Sequence, residues 1–65
     1  MTEKYEVLEF FQWGKQTFEK GQRLIFKKMD DDTAIVSVYG NEAKTLLVNP
    51  ETILNQIEWR RLRKL

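Results

Sequence analysis

From Leu24 to Val48 the apolar side chains recur largely at every second position. In "QRLIFKKM", Leu24 and Phe26 fall on one side, and Arg23, Ile25 and Lys27 on the other. Ala34, Val36 and Val38 alternate in the same way through "TAIVSVYG", as do Leu46 and Val48 in "AKTLLVN". A period of two marks a strand with one face buried. The earlier segment "YEVLEFFQW" is rich in aromatic and β-branched residues and too short to favour a helix, and "KQTFEKG" reads as a short strand closed by Gly21. The pattern predicts strands over about 5–12, 16–19, 22–29, 33–39 and 44–48. Leu24, Phe26, Val36, Val38, Leu46 and Val48 are the candidate core.

Turn chemistry separates these strands. Gly14, Gly21 and the Gly40-Asn41 pair permit tight reversals. The run Asp30-Asp31-Asp32 suits a hairpin turn, because aspartates bond their own backbone. It lacks the alternating carboxylates and distal glutamate of a calcium loop. The segment "NPET" reads as a helix start: Asn49 can cap, and Pro50 suits the first helical position. Glu51 favours the positive end of the helix dipole. Ile53, Leu54, Ile57, Leu62 and Leu65 then share one side of a helix over about 50–64. The expected fold is all-β with a C-terminal helix, a small five-stranded antiparallel meander or an SH3-like barrel, in one domain spanning 1–65.

Composition narrows the functions open to this fold. There is neither cysteine nor histidine among the 65 residues. Zinc, copper and iron thus lack their usual ligands, and histidine-based acid–base catalysis is excluded. Ser37 has no histidine to activate it, and alternation puts Glu6 and Glu9 on opposite faces. The expectation is a non-enzyme without cofactor. No apolar run reaches membrane-spanning length. "MTEKYEVLEFF" also lacks the order of a signal peptide, which points to the cytoplasm.

Net charge is only +1, so any nucleic-acid binding must come from local clusters. The densest is "IEWRRLRKL", in which Trp59 stands among Arg60, Arg61, Arg63 and Lys64. On a continuous helix Trp59 and Arg63, four residues apart, would touch. Indole could stack on a base while guanidiniums hold phosphate. The structural alternative is that the cations complement the helix dipole and Trp59 packs on a neighbour. Arg23, Lys27 and Lys28 form a second cluster. Trp13 and Tyr39 are aromatic strand residues that could stack bases, though such residues more often fill cores.

The first strand would carry Leu8 and Phe10 on one face and Tyr5, Val7 and Phe11 on the other. Two apolar faces on one strand imply that both are covered. A chain this short also has little core of its own. These points predict a homodimer with Val7, Phe11 and Trp13 at its interface.

The run "TFEKG", an apolar strand and "IVSVYGNEAKTLLVNPETILNQI" resemble the carbon storage regulator (CsrA-like) family of RNA-binding proteins. The matching positions are Leu8, Thr17, Gly21, Val36, Asn41, Lys44, Val48, Glu51, Ile53 and Ile57, which cover most of the chain. The resemblance implies five strands, a terminal helix, dimerisation by strand exchange and an RNA ligand. The arginines with which that family reads RNA align with Gln12, Trp13 and Pro50, which supply no guanidinium. RNA is therefore slightly favoured over DNA as a class, with no residue carried over. The competing expectation is a protein-interaction module, such as a small phage or plasmid accessory protein. Trp13 and Trp59 would then be buried anchors, since tryptophan and arginine are enriched at binding hot spots.

Overall fold

The computed structural model describes residues 2–65, apart from the side chain of Glu42. Its strands are β1 (Thr2–Val7), β2 (Phe11–Trp13), β3 (Gln16–Phe18), β4 (Arg23–Lys28), β5 (Ala34–Val38) and β6 (Asn41–Val48). A single helix α1 (Thr52–Glu58) follows, and then a short strand β7 (Leu62–Lys64). Five strands form one antiparallel sheet in the order β6-β5-β4-β1-β7. β2 and β3 form a separate hairpin, and the main sheet is not closed into a barrel.

The alternating segments fold as their period requires. Leu24, Phe26, Ala34, Val36 and Val38 are buried on the inner face, with Leu46 and Val48 packed against them. Register places Leu24 opposite Val38, Phe26 opposite Val36, and Val36 opposite Leu46. The aspartate run makes the β4–β5 turn. Asp30 accepts the amides of Asp32 and Thr33 through one oxygen, each at 2.8 Å. The β2–β3 turn needs Gly14, whose φ is +61°. A Cβ there would lie 3.2 Å from a methyl of Leu46, so the same glycine lets the hairpin sit close on β6.

The first strand differs from its sequence reading. The segment 5–12 is not one strand; the chain leaves the sheet at Leu8–Phe10 and re-enters pairing as β2. Phe11 and Trp13 then join Tyr5 and Val7 in a single core from the β2–β3 hairpin and not from the main sheet. Phe10 turns out to solvent at 63% exposure. Of the two apolar faces that motivated a homodimer, the one with Tyr5, Val7 and Phe11 is covered within one chain, whereas Leu8 is half-buried and Phe10 exposed. Val7, Phe11 and Trp13 line no exposed interface; they are interior side chains.

The helix differs more. It ends at Glu58, not near 64, and reverses at Arg60, whose φ is +59°. The amide of Arg60 donates to the Ile57 carbonyl, and that of Arg61 to the Gln56 carbonyl. These two bonds define a Schellman cap, in which the residue in the left-handed conformation is usually glycine. The chain then runs back along β1. Tyr5, Glu6 and Val7 pair with Lys64, Arg63 and Leu62. Leu62 enters the core at 1% exposure. A longer helix would have kept Leu62 off the sheet and left β1 as an edge strand, paired with β4 alone. Burial and pairing override local helix propensity here.

Candidate nucleic-acid interface

The shortened helix disperses the C-terminal cations. Trp59 is the last residue of the helical turn and is 57% exposed. Arg60 is exposed in the reversal. Arg61 lies between two aromatic rings, with its guanidinium carbon 5.0 Å from the centre of Trp59 and 5.6 Å from that of Phe11. It also faces Glu9 at 4.0 Å and the side-chain oxygen of Gln56 at 3.5 Å. Arg63 bonds Glu6 of the neighbouring strand through Nε, at 3.0 Å, and through Nη2. Lys64 reaches Glu3 at 3.5 Å on the other side of the strand. The expected contact between Trp59 and Arg63 along one helix is replaced by the stack of Trp59 on Arg61. These five residues do not form one patch.

The second cluster divides as well. Arg23 and Lys27 point outward from β4, on the face opposite Leu24 and Phe26. Lys28 has the opposite alternation and lies 3.8 Å from Asp31 at the turn.

A different grouping results on the outer face of the main sheet. Lys4 stands opposite Ile25, Glu6 opposite both Arg23 and Arg63, and Lys27 opposite Ile35. The outward positions of β1, β4 and β7 thus collect Lys4, Arg23, Lys27 and Arg63. Glu6 is the carboxylate among them. The chain as a whole is only +1, so this face is more basic than the remainder. Ile25 lies between Arg23 and Lys27 on β4, and Ile35 and Leu47 extend the apolar surface from Lys27 across β5 and β6.

Tyr39 completes the face. It follows β5 in a turn with Gly40, whose φ is +85°. Its amide donates to the Arg23 carbonyl at 2.8 Å, which fixes the turn against β4. The register of β5 and β6 shifts beside this turn. Such bulges bend a strand and redirect its side chains. The ring is 64% exposed, and the Lys4 ammonium lies 6.0 Å from its centre. Lys4, Arg23, Leu24, Ile25, Tyr39 and Leu65 surround a shallow cavity of about 120 Å³.

Of the residues on this face, Tyr39 is a stacking candidate by sequence, and Arg23, Lys27 and Arg63 are phosphate candidates. Trp13, the other strand aromatic, is buried among Phe11 and Phe18 and presents no ring to solvent. Lys4 escapes sequence reasoning because the first strand is expected to begin at residue 5. The alternation of Tyr5 and Val7, extended two residues toward the N-terminus, places Lys4 outward. Among the described residues no group of three acidic side chains is placed to hold a metal ion. No helix among the described residues is long and apolar enough to cross a membrane. No family model, curated protein or solved structure matches the chain.

Proposed function

We propose that this protein is a non-enzymatic nucleic-acid-binding module that binds through the outer face of its main sheet. The observation that supports this reading is the collection of Lys4, Arg23, Lys27 and Arg63 on one sheet face, with the exposed ring of Tyr39 beside Lys4 and Arg23. Cations on a sheet can follow a phosphate backbone, and an exposed aromatic can stack a base. Glu6 offsets Arg63 while the ligand is absent. Phosphate would compete for that guanidinium, since both partners are anionic acceptors of the same geometry. The resemblance to carbon storage regulator proteins favours RNA. The residues aligned with that family's reading arginines are Gln12, Trp13 and Pro50, and none belongs to this face.

The test is a salt titration of binding to a mixed-sequence oligonucleotide pool. Each phosphate neutralised contributes about −0.7 to −0.9 to the slope of log affinity against log salt. Contact by three or four cations gives a slope of roughly −2 to −3.5. Replacing Lys4, Arg23, Lys27 and Arg63 together by glutamine should abolish binding. Absence of binding at low salt, or affinity unchanged by that replacement, would remove the reading.

A protein-interaction module is the second reading. Trp59, stacked on Arg61, and Phe10, in the segment before β2, are large, exposed apolar side chains. Exposed aromatics with an adjacent arginine are the usual ingredients of a protein-binding hot spot. Loss of partner binding in the Phe10→Ser/Trp59→Ser variant, with Tyr39→Ala unaffected, would favour it.

A further inference from the structure

The cavity beside Tyr39 bears on which nucleic acid the face takes. We infer that it is a seat for one unstacked base, so that the ligand is a single strand and not a duplex. This inference rests on the reading of the outer face as a nucleic-acid surface, and it adds the form of the ligand and the position of a base.

The walls of the cavity have the chemistry a base requires. Tyr39 offers an exposed ring, and Leu65 and Ile25 add apolar surface to the lining. Lys4 and Arg23 stand at the rim, where they can hold the phosphates on either side of the seated nucleotide. The ring is already sought by a cation, the Lys4 ammonium at 6.0 Å. A base stacked on the ring would displace that ammonium toward the strand's own phosphate. Both groups then keep a partner: the ring gains a base, and the ammonium exchanges a π-face for an anion.

A duplex can use the ring only by unstacking a base step, which costs free energy. Its bases are stacked and paired inside, and its edges are read by a helix or ribbon lying in a groove. The outer face is a sheet surface from which neither projects. α1 packs Ile53 into the core on the inner side, and the β2–β3 hairpin buries Phe11, Trp13 and Phe18 there. A duplex that stays stacked would meet the cations alone and leave Tyr39 without a partner. An unpaired base reaches the ring without the cost of unstacking.

The experiment compares three labelled probes of equal length at one salt concentration: a mixed-sequence single strand, its duplex, and a single strand with abasic sites throughout. Each is titrated into the unmodified protein, Tyr39→Ala and Tyr39→Trp. Circular dichroism confirms that the variants fold, as expected for an exposed position. The single strand should bind at least tenfold more tightly than the duplex or the abasic strand. Tyr39→Ala should lose roughly tenfold or more for the single strand, in line with the loss of one base stack, and keep its salt slope. Tyr39→Trp should retain the affinity. Equal binding of single strand, duplex and abasic strand, unaffected by Tyr39→Ala, would overturn the base seat and leave the basic face standing. Failure of every probe at low salt would overturn both. A protein that prefers the duplex sinks the inference outright.

Discussion

The amide of Arg61 donates to the carbonyl of Gln56 at 2.9 Å, and that bond closes the turn that ends α1. Between them Arg60 occupies the left-handed region with φ of +59°. A side chain with a Cβ costs roughly 1–2 kcal/mol there, whereas glycine adopts the region freely. Part of that gain is offset by the entropy glycine loses on folding, roughly 0.5–1 kcal/mol. Arg60→Gly should therefore raise stability by about 0.5–1 kcal/mol. For a domain of this size that is a rise in Tm of a few degrees. Thermal melts followed by circular dichroism provide the check. A fall in Tm would mean that the Arg60 side chain makes a contact worth more than the strain.

Arg61 holds three elements together. Its guanidinium lies over Phe11 of β2 and Trp59 at the end of α1, and it begins the turn into β7. Contacts of this kind are worth about 0.5–1 kcal/mol when exposed and about 2 when desolvated. Arg61→Ala should cost about 1–2 kcal/mol in urea melts, including the packing of its stem. Arg61→Lys keeps the charge but not the flat group between the rings, and should fall between the two. If alanine costs less than about 0.3 kcal/mol, the stack contributes nothing to the fold.

What could be read from the chain, and what could not, follows from where the information sits. The inner residues of β4 and β5 alternate strictly, and the hairpin turns carry aspartate or glycine, so local pattern and tertiary structure agree. The breaks at Leu8–Phe10 and Trp59–Arg61 contain neither glycine nor proline. Nothing local stops a strand at Val7 or a helix at Glu58. The first is imposed by a core in which Phe11 and Trp13 pack with Phe18 from a separate hairpin, off the main sheet that holds Tyr5 and Val7. The second is imposed by Leu62, which reaches the core only as part of a strand beside β1. The candidate site divides in the same way. Arg23 and Lys27 are legible from alternation alone, whereas the position of Arg63 beside Glu6 depends on β7, which local pattern does not announce.

Tyr5 links the fold to pH. Its hydroxyl donates to Glu3 Oε2 at 2.5 Å. Burial and the Glu3 hydrogen bond raise the phenol well above its ordinary value near 10. The same bond, helped by Lys64 and opposed by burial, holds the Glu3 carboxyl below its ordinary range. The raised phenol favours folding fully below pH 10, and that contribution is lost as pH climbs beyond it. The depressed carboxyl favours folding above its unfolded value, and that contribution is lost as pH falls through its folded one. The stability difference between the unmodified protein and Tyr5→Phe should thus be largest from about pH 5 to 9, at roughly 1–2 kcal/mol, and shrink at both ends. Urea melts at pH 3, 7 and 11 measure it. A constant difference across that range would show that the two groups are not coupled.

Val7 distinguishes a core residue from an interface residue. It is 1% exposed within a single chain, beside Leu62 on β7. An unpaired carboxylate placed there has no partner and costs several kcal/mol, a large part of the 5–15 kcal/mol that holds a typical domain together. Val7→Asp should lose its sheet signal in circular dichroism. Light scattering of the unmodified protein supplies the comparison. A variant that kept its sheet signal while halving the mass of the unmodified protein would restore Val7 to an interface.

The tail and the face make opposite demands on the same arginine-rich segment. Arg60 and Lys64 belong to the basic run at the C-terminus, but one lies in the helix reversal and the other pairs with Glu3 away from the outer face. Arg23 and Lys27 are distant from that run in sequence and lie on the outer face. If nucleic acid binds the tail as a unit, Arg60→Gln/Lys64→Gln should weaken it most. If it binds the face, Arg23→Gln/Lys27→Gln should. Each phosphate of a single strand that is no longer neutralised reduces the salt slope by about 0.7. The face variant should therefore flatten the slope by about 1.4, while the tail variant leaves it within about 0.3 of the unmodified protein. Both pairs remove the same formal charge, so a difference between them reports position and not net charge. Equal flattening by the two variants would mean that binding is spread over the whole surface. A larger effect of the tail variant would place the phosphates along Arg60 and Lys64 and remove the outer face as the binding site.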